Sequence, residues 1–369
     1  MMDRFVHSTP NYLYEAAACI AEQNCDDEKS IIENHSKYGI TKDEMTKYLD
    51  KFSKYKAAVL SEILPIYSKF PSLEPFFQPT DLRSDTNSSL ALSLVIYLGK
   101  NLDSPLSDDE IDIIMNKFII STIDDLSLDI DENEVEVKNL EDVLILLNKI
   151  KLEDSIKIQL INLYHNRYEI IKQLADLLHL CAPICEKYFY LSKDDFEKAQ
   201  SFLLEKDNME KLLEALGLKV NIPQNAEIYF SIAIFNSISL AEIHNGFVFY
   251  IGIYFFDIFD LKSKNRFNDT QIVTDLKALG DPTRLKMIHL LALRKMYIQE
   301  LAQNLELTPA TVSHHINILL KSELISLTVD GISSRKIYYE TNSEKLERLG
   351  ETIKSLGKNN LLGGNIFGE

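Results

Sequence analysis

The chain has 369 residues and a formal net charge of −17, with 39 Lys and Arg against 56 Asp and Glu. Hydrophobic residues make up 46%, and Gly and Pro number only 12 and 10, which excludes collagen-like, low-complexity and wholly disordered readings. The four cysteines (Cys19, Cys25, Cys181, Cys185) are too sparse for a disulfide framework, the start Met1–Pro10 lacks the pattern of an export leader, and the longest apolar run, Phe247–Phe256, is half of what a membrane span needs. These features predict a folded cytoplasmic protein of two or three domains that makes no contact with a membrane.

The charge is unevenly placed. Residues 271–357 hold 11 Lys and Arg against 10 Asp and Glu, so the acidity belongs to the first 270 residues. A net charge of −17 argues against nucleic acid, because a DNA-binding surface must replace condensed counterions with cations. The near-neutral last part escapes that argument and marks a separate module.

From Tyr12 to about Leu218 apolar residues recur every three to four positions, predicting helices such as 42–70, 107–124, 140–150 and 155–180. Breaks fall at Pro71, Pro79, the polar stretch 83–89 and the acidic segment 129–136. After Pro223 the texture changes. Ile228–Phe235 and Phe247–Phe256, rich in Ile, Tyr and Phe and separated by turn residues including Asn245-Gly246, read as strands. The fold class expected is mainly α: an acidic helical domain over 1–222, a small strand-rich segment over 223–261 attached to it, a linker at 262–270, a separate domain over 271–357, whose pattern follows, and a flexible tail at 358–369.

Within 271–357 the local signals agree. Asp281-Pro282 supplies an N-cap followed by Pro at the first helical position, with Leu285, Ile288, Leu291 and Ala292 as the apolar face behind it. Ile298, Leu301, Ala302 and Leu305 define a second short helix. After the tight connection Glu306-Leu307, Thr308-Pro309 repeats the cap for a third helix, whose inward face is Val312, Ile316, Leu319 and Leu320. Two short helices joined so closely describe a helix-turn-helix, the second of which enters the DNA major groove. Leu324–Val329, Asp330-Gly331 and Arg335–Glu340 form the hairpin of a wing. A closing helix, Ser343–Leu356, aligns Leu346, Leu349, Ile353 and Leu356 in a narrow seam suited to pairing across a two-fold axis. Leu276 and Leu279 of the first helix join that candidate dimer interface.

Leu279-Gly280-Asp281-Pro282-Thr283-Arg284-Leu285, Thr311-Val312-Ser313-His314-His315-Ile316-Asn317-Ile318-Leu319 and Arg335-Lys336-Ile337-Tyr338-Tyr339 together resemble the winged-helix repressors of the ArsR/SmtB family. The resemblance covers residues 271–357 and implies a homodimer that binds a palindromic operator and leaves DNA on a signal. The founding members hold thiophilic metals through cysteines in the helix before the recognition helix. Here that helix, Ile298–Leu305, contains none, so no metal site and no cofactor is expected there. Sensing, by a small-molecule effector or otherwise, falls to the first 260 residues.

Candidate DNA contacts are Thr308, Ala310, Thr311, Ser313, His314 and Asn317, polar or small groups away from the apolar face, with Lys321, Arg335 and Lys336 placed for backbone phosphates. His315 fits a packed structural histidine as well as a contact. Elsewhere, His179, Cys181 and Cys185 have a metal-like spacing, but Pro183 interrupts the turn, and buried core thiols are the simpler reading. The aromatic residues Phe247, Phe249, Tyr250, Tyr254, Phe255 and Phe256 suit a buried strand better than a ligand pocket or dimer face. The acidic residues between Asp124 and Glu134 are spaced somewhat like a calcium loop but lack its Gly and closing Glu. No phosphate-binding glycine loop, nucleophile elbow or metalloprotease helix is present, and nothing in the residues argues for an enzyme. The reading that follows is a dimeric DNA-binding regulator, a repressor by resemblance. The alternative is an interaction protein whose winged helix serves dimerisation or docking without specific DNA binding.

Overall fold

Eight successive buried residues, Tyr14–Ala21, make the first helix apolar on every side, and a helix hydrophobic all round belongs inside a core. In the computed structural model, residues 4–24, 29, 32–33, 35, 41–83, 86–127, 136–150, 152–205, 208, 211–212, 218–221, 227–235, 238–243, 246–257, 259, 269–330 and 337–359 are described. They fall into two units, the first within 1–212 and 222–263, the second within 213–221, 264–330 and 336–369.

The first unit is built from strand β1 (Arg4–Val6) and helices α1 (Tyr12–Glu22), α2 (Lys42–Asp50), α3 (Ser53–Tyr67) and α4 (Glu74–Phe77). A hairpin of β2 (Pro79–Arg83) and β3 (Thr86–Ser89) follows, then α5 (Leu90–Leu98), α6 (Asp108–Ser127), α7 (Leu140–Lys149), α8 (Asp154–His165), α9 (Arg167–Tyr188) and α10 (Lys193–Leu204). The three consecutive alanines Ala16–Ala18 let α3, α5 and α9 pack around α1. One expected helix is corrected here: that over 42–70 is divided at Lys51-Phe52. The breaks expected at Pro79 and over 83–89 fall in a hairpin. Pro183 does not interrupt its helix, since α9 runs through it to Tyr188.

The sheet of this unit has the order β1-β5-β7-β6, with β5 (Glu227–Ala233), β6 (Ile238–Ile243) and β7 (Gly246–Gly252). β1, β5 and β7 run parallel, and β6 pairs antiparallel with β7 in register Ile238↔Ile251 to Ile243↔Gly246. The expected strands therefore end at 233 and 252 rather than 235 and 256, and a helical turn begins at Tyr254. Phe247, Phe249 and Tyr250 of β7 are buried, as a central strand requires, and Tyr254, Phe255 and Phe256 are buried in the helical turn that follows it. Tyr14 stacks on Tyr250 with ring centroids 3.7 Å apart, and Asn11 Nδ2 donates to the Tyr250 hydroxyl at 3.1 Å. Glu15, fully buried beside these rings, accepts from the Ile234 N–H at 2.8 Å, and burial pushes its carboxyl up to about 8.

The second unit contains β4 (Leu218–Asn221), α11 (Asp269–Leu279), α12 (Pro282–Leu293), α13 (Ile298–Leu305), α14 (Pro309–Lys321), β8 (Ile325–Asp330), β9 (Ile337–Thr341) and α15 (Ser343–Asn359). Residues 218–221, expected with the helical domain, thus belong here, and α11 begins at Asp269, inside the expected linker. The sheet order is β4-β8-β9, with β8 and β9 antiparallel and β4 added in parallel to β8. Met296 bridges to Tyr339 through backbone bonds of 3.0 and 2.8 Å on the other side of β9. The core comprises Met287, Ile288, Leu291, Leu301, Val312, Ile316, Leu319, Leu324, Ile325 and Leu349. On α12 this differs from expectation. Leu285 and Ala292 are exposed and Met287 takes the inward place, because apolar residues surround that helix and spacing alone did not define its face. Among the described residues, no helix is long and apolar enough to cross a membrane.

Candidate nucleic-acid interface

Two capped helices set the site. Asp281 accepts from the N–H groups of Thr283 and Arg284, both at 2.9 Å, and the following Pro282 has no N–H to satisfy. The Arg284 N–H, with help from the nearby Arg284 and His315 side chains, holds the Asp281 carboxyl below the usual carboxylate range. Arg284 turns the other way, donating from Nε to Ala278 O (2.6 Å) and from Nη2 to Lys277 O (3.0 Å), so it caps the end of α11. One Asp and one Arg thereby fix the corner between α11 and α12.

The turn of the helix-turn-helix is made by Glu306, left-handed at φ 56, and Leu307, whose N–H donates to Ala302 O at 3.0 Å. Thr308 then caps α14, accepting from the Thr311 N–H at 3.2 Å, while the two threonine hydroxyls lie 2.8 Å apart. Val312, Ile316 and Leu319, each fully buried, seat α14 on the core. That leaves Thr308, Thr311 and His314 exposed on one face at steps of three, with Ser313 and Asn317 half-buried beside them. Ala310 and Lys321 occupy the first turn and the last position of the helix. Arg335 and Lys336 lie outside the described residues. At the base of the wing, Lys295 sits over the Tyr338 ring at 5.2 Å, and Tyr297 meets the same ring edge-on at 5.9 Å.

His315 is a packed histidine. Its side chain is 16% exposed, its Nδ1 lies 3.9 Å from Asp281 Oδ1, and that nitrogen has no hydrogen-bond partner. Burial lowers its pKa, reinforced by Arg284 and His314 and opposed by Asp281.

The candidate dimer residues divide. Leu349 is buried in the protomer's own core, and Leu279 and Leu346 are half-buried against it, whereas Leu276 and Ile353 remain exposed with Val273. Leu356 belongs to α15. A contact 70 residues long in sequence ties these helices together: Lys345 Nζ lies 2.9 Å from Asp275 Oδ2, which is almost wholly buried. No local pattern announces that ion pair, nor the strand β4. Arg284 stands within the Leu279–Leu285 motif, yet only the fold reveals its capping role.

The cysteine group of the first unit is different chemistry. Cys19, Cys181 and Cys185 are fully buried, and burial raises all three thiols, Cys181 to about 12. His179 Nε2 is hydrogen-bonded to Leu102 O at 2.8 Å. Thiols held protonated in this way are packing groups. Cys25 lies outside the described residues, as does most of the acidic run, 128–135.

A capped helix-turn-helix closed by a β-hairpin with an exposed polar second helix defines a winged-helix DNA-binding protein. The sequence profile of the family described as bacterial regulatory protein, arsR family, matches residues 281–326, and the chain belongs to this family. It is 37% identical over 71 residues to the transcriptional repressor SdpR of Bacillus subtilis, covering 19% of this chain and 76% of that one. It is 29% identical over 83 residues to the arsenical resistance operon repressor of Staphylococcus xylosus, covering 22% and 77%. An uncharacterized HTH-type transcriptional regulator of Methanocaldococcus jannaschii is 35% identical over 79 residues, covering 21% and 82%. No solved structure matches the chain.

Proposed function

We propose that this protein is a repressor that binds a palindromic operator as a homodimer, with the first unit receiving a signal or bracing the dimer. The observation that carries the reading is the exposed face of Thr308, Thr311 and His314 on a recognition helix whose opposite face is fully buried. Docking alone would not require such a polar face. Short donors and acceptors on the helix meet base edges, while Lys321, Arg335 and Lys336 serve phosphates. A two-fold axis through the exposed Val273, Leu276 and Ile353 would set two recognition helices about 34 Å apart, one turn of B-DNA. An effector, of chemistry the first unit determines, would act by favouring an arrangement of the two helices that no longer matches the half-sites.

The test is genome-wide mapping of bound DNA, followed by titration of the mapped operator with Ser313→Ala and His314→Ala. Each is expected to lose about 1–3 kcal/mol of specific binding with little change on unrelated DNA. If both variants bind the operator as the unaltered chain does, α14 is not the reader.

A further inference from the structure

We infer that the ion pair between Asp275 and Lys345 sets the angle between α11 and α15 and, through it, the half-site spacing that the dimer accepts, an inference that rests on the DNA-binding reading above. Both residues lie in the second unit. On α11, Ile272, Asp275 and Leu279 follow at steps of three and four, so the carboxylate stands in line with apolar residues that pack on the core. Its side chain is 3% exposed. On α15, Lys345, Leu349 and Ile353 follow at steps of four, which places Lys345 one turn before the buried Leu349. Lys345 Nζ reaches Asp275 Oδ2 at 2.9 Å. Exchanging a buried ion pair for uncharged residues of like size is often neutral or stabilising, so cohesion alone does not require charge here. Apolar packing is non-directional, whereas a charged hydrogen bond holds only over a narrow range of distance and angle.

The pair is also one step in a hydrogen-bonded line that leads to the recognition helix. Leu324, three residues beyond α14, donates its N–H to Leu319 O at 3.1 Å and accepts from the Asn342 N–H at 3.0 Å. Asn342 Oδ1 in turn accepts from the Lys345 N–H at 3.1 Å, which fixes the first turn of α15. Lys345 reaches Asp275, and Arg284 caps the end of α11 through Ala278 O and Lys277 O. The same two helices carry the exposed Val273, Leu276 and Ile353. A two-fold axis through those three residues therefore takes its direction from both helices, and the angle between them decides where each recognition helix lands. With each about 17 Å from the axis, a rotation of roughly 10° moves it about 3 Å, close to the rise of one base pair.

The experiment uses the full chain with Asp275→Asn and Lys345→Met together, which removes both charges at nearly constant volume. Affinity is measured for two duplexes, the mapped operator and the same operator with one base pair inserted at its centre. Circular dichroism and denaturant titration on the same sample establish folding and stability. The unaltered chain should prefer the native spacing by about tenfold or more, and the double variant should narrow that preference to about threefold or less. Its stability should be unchanged or slightly raised. Lys345→Arg, which restores the cation, should keep the preference. Where the double variant does not fold, the isosteric Asp275→Asn alone serves, and a smaller narrowing is expected. A folded variant with the full preference overturns the inference. So does a loss of stability with affinity reduced equally on both duplexes, because the pair is then merely structural. If the unaltered chain binds no duplex, the DNA-binding reading falls and takes this inference with it. An unaltered chain that binds both spacings equally removes the inference alone.

Discussion

Replacing Leu276 and Ile353 together with Asp should convert the protein to a monomer without unfolding it. Leu276, Ile353 and Val273 are 42%, 44% and 51% exposed, so each keeps nearly half its surface available to a partner. Full burial of such a side chain stabilises by about 1.5–3 kcal/mol, so each exposed part is worth about 1 kcal/mol, and three residues across a two-fold axis about 6. That gross gain has to exceed the cost of association before a dimer forms. The double substitution removes about 4 kcal/mol of it, roughly a thousandfold in the dimer dissociation constant, before the repulsion of apposed carboxylates is counted. Leu349 is the wrong residue for this purpose, because it is 5% exposed within the protomer and its loss would damage the fold itself. Sedimentation equilibrium and operator titration on the same sample read the result. Operator affinity should fall although no DNA-facing residue has changed. A monomeric variant that holds the palindrome at full affinity refutes the linkage between dimerisation and binding. An unaltered dimer moves the interface away from α11 and α15.

Asp281→Ala removes the cap of α12 and the partner of Arg284, and should lower stability by about 1–2 kcal/mol in denaturant titration. An effect below about 0.3 kcal/mol would mean that the α11–α12 corner is held by other contacts. His315 has a folded pKa below its ordinary 6.5, so the unfolded chain binds the proton more readily. Its contribution is complete above pH 6.5 and is lost as pH falls below it, and thermal melts at successive pH values should show His315→Gln losing less stability between pH 7.5 and 5.5 than the unaltered chain. A parallel decline in both would assign the pH dependence to other groups. Cys19, Cys181 and Cys185, buried and with raised pKa values, should resist thiol reagents until the chain unfolds. Rapid labelling of any of the three in the native protein, followed by mass spectrometry, would contradict their role as packing groups.

Much of the second unit is legible residue by residue because its signals are local. Asp281-Pro282 and Thr308-Pro309 act on N–H groups two or three residues away, so the helix starts at 282 and 309 need no distant partner. Of the expected inward face of α14, Val312, Ile316 and Leu319 are fully buried and Leu320 is half-buried, a stripe legible from its spacing of three and four. On α12, with apolar residues on several sides, the same arithmetic misplaces the face, and only packing chooses Met287 over Leu285. The seam of α15 shows the limit again: Leu346, Leu349 and Ile353 are alike in spacing, yet Leu349 fills the core while Ile353 stays at the surface. Similarly, Ile, Tyr and Phe mark β5 and β7 as strands, but nothing in either segment states that they run parallel and adjacent, or that β6 lies at the edge. Asp275–Lys345 joins residues 70 apart, and β4–β8 joins strands more than a hundred apart. Capping and amphipathic period depend on neighbours within a turn or two of chain. Strand partners, buried ion pairs and the choice of which apolar residue is inside depend on atoms brought together from far along it, and those the tertiary structure alone decides.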